Sequence, residues 1–256
     1  MNIVGIIPSR MASSRFPGKP LATIVGMPMI GHVYHRSKMA EILHEVYVAT
    51  CDQEIADYIK SIGGQVIMTA NTHERASDRT AEAVHKIEKK GGKEIDIVVM
   101  LQGDEPMVVP QMIEAVIEPL IDDALISISN LMGEIRTIED WKDPNKVKVV
   151  VDKEYDAIYY SREPIPSKKK YTGDIPKWEQ LGIIVFRKRA LFDYTEMDST
   201  PLEIIESVDM NRFIEHGKKI RMVPTDYGAS GVDTEIDLKE VEVLMINDSL
   251  KNDYLC

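Results

Sequence analysis

The chain has 256 residues, 44% hydrophobic and 29% charged, which excludes a disordered polypeptide and allows one large domain or two small ones. Its 31 Lys and Arg against 42 Asp and Glu leave a net charge of −11, so the broad basic face that nucleic acid demands is not expected; a small anionic ligand fits only where cations gather in one cleft. Two cysteines (Cys51 and Cys256) make no disulfide framework, no run of about 18 apolar residues suggests a membrane span, and no signal-peptide pattern precedes the first strand. A cytoplasmic protein with no nucleic-acid or membrane partner is expected.

Residues 3–7 read as a buried first strand. The loop 7–20 that follows collects Arg10, Arg15 and Lys19, the hydroxyls of Ser13 and Ser14, and Gly18, stiffened by Pro8, Pro17 and Pro20. Such a mixture suits a triphosphate: glycine lets N–H groups approach the anion, hydroxyls donate, and Arg and Lys neutralise oxygens. The loop is not a Walker A loop, because Gly18-Lys19 is followed by Pro20. The alternative is a solvated basic turn, but a position at a strand's C-terminal end is where open α/β sheets bind ligands.

Further along, 29–39 reads as a helix, 45–50 as a strand, 53–62 as a helix stopped by Gly63-Gly64, and 65–69 as a third strand. A helix over 77–90 follows, with Ser77 or Asp78 able to cap it, then a nearly all-apolar strand over 95–101 and a helix over 110–120. The alternation predicts an α/β fold, a doubly wound and mostly parallel sheet. Beyond it the pattern changes to strands at 124–131, 146–151, 157–161 and 181–187, a Lys-, Pro- and Gly-rich loop at 164–176, and a helix at 235–244. These suggest a single domain over 1–256, carrying a smaller mixed-sheet insertion around 124–200 that is a candidate dimer surface.

Asp104, in Leu101-Gln102-Gly103-Asp104-Glu105-Pro106, sits just past a buried strand and either holds Mg²⁺ or shapes a tight turn. Asp233, in Gly231-Val232-Asp233-Thr234, is either a helix cap or the second member of a metal-bridged triphosphate site. Residues 73–79 add Arg75 and Arg79 near a helix N-terminus, a natural anion site. His32 and His35 lie one helical turn apart but lack a third ligand.

Together, five stretches in order resemble the CMP-Kdo synthetases (3-deoxy-manno-octulosonate cytidylyltransferases): 7–20, 101–106, 143–150, 160–166 and 231–234. The resemblance covers nearly the whole chain and implies a nucleotide-sugar transferase fold. It also implies the reaction of CTP with a 2-keto-3-deoxy sugar acid to give a CMP-sugar and diphosphate. By resemblance, Arg10 and Lys19 match triphosphate-binding cations, Asp104 and Asp233 match Mg²⁺ ligands, and Arg79 and Gln102 line the nucleotide and sugar sites. Arg10, Lys19 and Asp104 then carry catalysis, with Ser13, Ser14 and Arg15 around the nucleotide. Gln102, Arg162, Gln180, Ile184, Glu206 and Asp209 fall on the acceptor side, and a homodimer through the second-half sheet is implied.

The chain departs from the family on that acceptor side. Gln180 and Ile184 replace a sugar-contacting His and Tyr, Arg75-Ala76-Ser77 replaces Ser-Gly-Thr, and the family's helix appears as 202–212 with altered residues. Cytidylyl transfer is therefore expected more firmly than Kdo itself. A different acidic acceptor such as a nonulosonate is one alternative. A glycosyltransferase on a related sheet is another, although Gly103-Asp104-Glu105 lacks the usual Asp-x-Asp.

Overall fold

The computed structural model describes residues 1–12, 16–91, 93–228 and 231–255. They divide into two compact units, Met1–Glu114 with Ala229–Cys256, and Ala115–Gly228. The first begins with β1 (Ile3–Ser9), a 3-10 turn at Lys19–Leu21, and a small hairpin of β2 (Thr23–Ile24) and β3 (Met27–Pro28). Then come α1 (Met29–Lys38), β4 (Glu45–Thr50), α2 (Gln53–Ser61), β5 (Gln65–Met68), α3 (Ala76–Lys89) and β6 (Ile97–Leu101). All seven residues of β1 and all five of β6 are buried, as expected of strands covered on both faces.

These strands pair in parallel in the order β6-β1-β4-β5. The chain winds outward from β1 through β4 to β5 and then returns, by way of α3, to the other side of β1. Because parallel crossovers are right-handed, the return places α3 on the opposite face from α1 and α2. The direction of winding therefore reverses between β1 and β6, and a crevice opens beyond the C-terminal ends of those two strands. Gly103, two residues past β6, fits there because a Cβ would meet the Pro8 carbonyl and Ser9 Oγ at 3.3 Å each.

The helix α4 (Pro110–Asp122) leads into the second unit, which comprises β7 (Ile128–Glu134), α5 (Ile138–Lys142), β8 (Lys148–Val151), β9 (Ala157–Ser161), β10 (Trp178–Arg187), α6 (Lys188–Glu196), α7 (Pro201–Glu206), α8 (Met210–Glu215) and β11 (Arg221–Thr225). Its strands run β11-β7-β10-β8-β9, parallel only between β11 and β7. The α/β class with a mostly parallel sheet and a smaller mixed one holds. The strand expected at 124–131 begins later, because Arg187 donates to the carbonyls of Leu120, Asp123 and Ile126 and the chain turns with Leu125 90% exposed. The helix read at 202–212 is two helices, α7 and α8, separated by Ser207 in the left-handed region (φ 53°).

The chain returns to the first unit with α9 (Glu235–Asn247), capped by Thr234, which accepts from Asp237 N while Asp237 accepts from Thr234 N. Val232, Val241 and Met245 pack with Ile24 and Met29 in a small apolar cluster. The segment after α9 folds back onto α1. There Asp248 pairs with the fully buried Arg36, and Tyr254 takes a hydrogen bond from Arg36 Nε at 2.9 Å. Both ring nitrogens of His32 are engaged, with Tyr254 at 2.9 Å and the Ile24 carbonyl at 2.8 Å, so His32 is a core residue rather than a metal ligand. Among the described residues no helix is long and apolar enough to cross a membrane.

A buried ion pair joins α7 and α8 in the second unit. Glu203 is 1% exposed and receives Arg212 Nε and Nη2 at 2.6 Å each, with the guanidinium 4.0 Å from the Tyr194 ring centre. Removing one partner of such a pair strands the other charge, so Arg212→Ala should cost about 3–5 kcal/mol, read by urea unfolding. Arg212→Lys should recover only part of this, since Lys cannot form the bidentate fork.

Candidate active site

Beyond β1 and β6 lies a cavity of about 340 Å³ in the first unit, lined among others by Ser9, Arg10, Lys19, Arg79, Gln102, Asp104 and Asp233. Each wall has a local cause. Gly18 takes a positive φ of 76°, which turns the chain so that Lys19 points inward, and Gly18 N donates to Met11 O at 3.1 Å across the base of the loop. Asp52, just past β4, accepts from Met11 N at 2.7 Å and fixes the near end of that loop. Ser13, Ser14 and Arg15 lie outside the described residues.

Asp104 and Asp233 are joined through the backbone, since Val232 N donates to Asp104 O at 2.9 Å. Thr234 rather than Asp233 caps α9, which leaves the Asp233 carboxylate to turn toward Asp104. Lys19 Nζ lies between them, 2.6 Å from Asp104 Oδ2 and 3.3 Å from Asp233 Oδ1, and also donates to the Val232 carbonyl at 2.7 Å. Two carboxylates thus converge on one cation position. No group of three or more His, Cys, Asp or Glu among the described residues could hold a metal. Two carboxylates suit Mg²⁺, which binds through few protein oxygens and takes the rest from phosphate and water.

Arg79 sits on the first turns of α3, whose N-cap is Arg75 rather than Ser77 or Asp78. It is 3% exposed, and its Nη1 donates to Thr69 Oγ1 at 2.5 Å and Ala70 O at 3.2 Å. Its Nη2 and the Ser9 hydroxyl are both buried with no hydrogen-bond partner among the described residues. Buried polar groups are nearly always paired, so two unpaired ones on a cavity wall mark the place where a ligand supplies the partner. Arg10 is exposed at the mouth, with Nη1 3.4 Å from His73 O. The 69–73 turn is pinned by Glu82, which takes His73 Nε2 at 2.5 Å, Ala70 N at 2.8 Å and Lys86 Nζ at 2.7 Å. Burial works against the Glu82 charge, but these hydrogen bonds outweigh it and hold its pKa at about 2.

The acceptor-side candidates other than Gln102 lie in the second unit. Arg162 and Glu206 meet at the end of α7. Arg162 Nε donates to Glu206 O at 2.8 Å, and the Glu206 carboxylate accepts from Tyr159, Ser161 and Arg162 N at 2.6, 2.9 and 2.7 Å. Asp209 stands at the N-cap of α8. Gln180 donates to Asn130 Oδ1 at 2.8 Å, and Asn130 in turn donates to the carbonyls of Leu181 and Ile183, pinning a bulge in β10 between Gln180 and Ile184. Ile184 is 4% exposed and packs in the core, so its side chain offers little surface to a sugar.

Sequence reasoning gave no role to Ser9 and Thr69, although both lie in stretches it singled out, and missed Asp52, Glu82 and Asn130. Each is a single polar residue with no local pattern of its own, and for Asp52 and Asn130 the partner lies more than forty residues away in the chain. Lys148 was visible as part of a motif but had no role. Fully buried, its ammonium donates to the carbonyls of Asp143, Lys146 and Arg162, which ties the 143–146 loop to Arg162.

Beside it, burial pushes the Glu179 pKa up to about 7, only partly offset by Lys146 Nζ at 4.0 Å. A carboxyl whose folded pKa is raised stabilises the fold below its unfolded value of about 4.5 and loses that contribution as pH rises through 7. Glu179→Gln should therefore raise the melting temperature at pH 8 and change it little at pH 4, measured by calorimetry in matched buffers. A larger gain at pH 4 than at pH 8 would contradict the raised pKa.

The profile of the cytidylyltransferase family matches residues 4–220. A 3-deoxy-manno-octulosonate cytidylyltransferase of Geobacter metallireducens is 42% identical over 251 residues, covering 94% of this chain and 96% of the relative. The mitochondrial 3-deoxy-manno-octulosonate cytidylyltransferase of Arabidopsis thaliana is 41% identical over 245 residues, covering 95% of this chain and 83% of its own. A solved structure of CMP:2-keto-3-deoxy-manno-octonic acid synthetase complexed with CTP superposes with a TM-score of 0.88 at 37% identity, covering 96% of this chain and 99% of that one. With its parallel sheet, its crevice between β1 and β6 and its motifs in the expected order, the chain belongs to the 3-deoxy-manno-octulosonate cytidylyltransferase family.

Proposed function

We propose that this chain transfers CMP from CTP to the anomeric hydroxyl of a 2-keto-3-deoxy sugar acid, Kdo or a Kdo-like acid, with release of diphosphate. The observation that carries this reading is the cavity wall itself. Two carboxylates, a bridging ammonium, and buried donors on Arg79 and Ser9 that lack partners all face one anion-sized space.

The acceptor hydroxyl forms a new bond to the α-phosphorus in line with the bond to the departing diphosphate, which leaves with the electron pair. The hydroxyl proton passes to solvent, and no side chain is named as a dedicated base. Asp104 and Asp233 would hold Mg²⁺, which neutralises phosphate charge and favours the ionised acceptor oxygen. Arg10 and Arg79 supply fixed positive charge for the phosphates, and Lys19 supplies a mobile one. Asp104→Asn and Asp233→Asn should each lower diphosphate release with CTP by at least 100-fold, on the order of 3 kcal/mol, with the circular dichroism unchanged. Near-normal turnover in both would overturn the two-carboxylate site.

The acceptor is the finer question. Gln180 stands where the family has a sugar-contacting imidazole and is held by Asn130, and Ile184 is withdrawn into the core. An acceptor whose tail needs fewer hydrogen bonds than that of Kdo is thereby favoured, since each unpaired buried hydroxyl costs about 1–3 kcal/mol. Diphosphate release at saturating CTP should give a higher kcat/KM for at least one Kdo analogue altered at that end. Kdo outperforming the whole panel would make the two substitutions neutral.

A homodimer formed through the second unit is supported by its exposed apolar side chains, Ile158, Ile204 and Ile205 at 54%, 62% and 74%. Light scattering on the eluted protein should give twice the chain mass. The use of CTP supports a cytoplasmic setting.

A further inference from the structure

Lys19 holds a position that a phosphate-binding lysine does not need. Its side chain is 11% exposed, and its ammonium spends all three donors inside the protein, on Asp104, Asp233 and the Val232 carbonyl. The backbone enforces this placement through the left-handed turn at Gly18 and the 3-10 turn Lys19–Leu21, whose last donor, Ala22 N, returns to Lys19 O at 3.0 Å. The ammonium lies where the two carboxylates converge. A divalent ion held by the same two carboxylates could not share that space with a cationic nitrogen.

We infer that Lys19 is a resident counter-cation that denies the two-carboxylate site to a divalent ion until a triphosphate draws the ammonium away. This rests on the reading that CTP is the substrate. A lysine suits the task better than an arginine, because a point charge on a flexible four-carbon stem can swing from carboxylate to phosphate, while a planar fork is tied to one geometry. With a triphosphate present, its oxygens accept the displaced ammonium and add ligands for the ion. Nucleotide and metal then raise each other's affinity by the same factor, as linkage requires. The device keeps the carboxylates assembled and keeps metal without nucleotide out of the site.

The test uses Mn²⁺ alone as the probe, on the full chain, with no nucleotide present. Free Mn²⁺ is counted by electron paramagnetic resonance, and melting temperature is followed in parallel. Lys19→Met should bind one Mn²⁺ at least ten-fold more tightly than the parent chain, and its melting temperature should climb with Mn²⁺ while the parent's stays level. Adding Asp104→Asn to Lys19→Met should abolish the gain and so assign it to this site. Lys19→Gln, which keeps amide donors but no charge, serves where Lys19→Met does not fold, and the same gain is expected of it. Mn²⁺ affinity no higher than the parent's in the folded Lys19 variants overturns the proposal. Diphosphate release by the parent chain is measured separately. A chain that releases none from CTP with any sugar acid, yet shows the Mn²⁺ gain, sinks the transferase reading and leaves the counter-cation role standing.

Discussion

Parallel strands cannot be joined by tight turns, and much of this molecule follows from that. Each of β1, β4 and β5 must be followed by a helix that carries the chain back to the starting edge, so the ends of all these strands gather on one rim. The reversal of winding between β1 and β6 leaves that rim uncovered at one point. Ser9 is there as the last residue of β1, and Gln102, Gly103 and Asp104 because they come next after the buried run of β6. The chemistry is thus set by which residues follow a strand, and the sheet does the positioning.

The site is built on compensated charge. Among the buried cations, Lys19, Arg36 and Lys148 have been taken out of water at very different cost. Arg36 is matched by one carboxylate, Lys19 by two, and Lys148 by carbonyls alone. Burial lowers the Lys148 pKa accordingly. Full compensation at Arg36 makes that pair a fixture between α1 and the segment after α9. Lys19 faces the largest share of negative charge of the three, 2.6 Å from Asp104 and 3.3 Å from Asp233. Arg79 is the opposite case, a buried guanidinium left one partner short.

Much of this could be read from the sequence, for physical reasons. The continuous apolar runs of β1 and β6 admit only a doubly covered strand, and the residues after them inherit the ligand edge. Asp104 follows from that logic, while Asp233, which read by itself as a helix cap, comes to the site through the resemblance of the motif around it. The second unit was harder. Ala124-Leu125-Ile126 looks like the start of a strand, yet Arg187, more than sixty residues later, ties the preceding helix end and shifts the strand onward. The α7–α8 break depends on one left-handed serine, a choice that periodicity does not register. Asn130 carries no local pattern at all. Its meaning lies in two carbonyls about fifty residues away.

The first unit is discontinuous, and that has a consequence during synthesis. Lys19 and Asp233 are 214 residues apart, and the whole second unit is inserted between Asp104 and Asp233. A ribosome working at roughly 5–20 residues per second needs on the order of ten seconds to deliver the second carboxylate after the first. Through that interval the nascent sheet can pair β1, β4, β5 and β6, but Lys19 has only Asp104 to hold. A chain released early by a premature stop, even one carrying both strands of the crevice and most of the second unit, would lack Asp233 and α9. Such fragments would present the first carboxylate of the pair without the second.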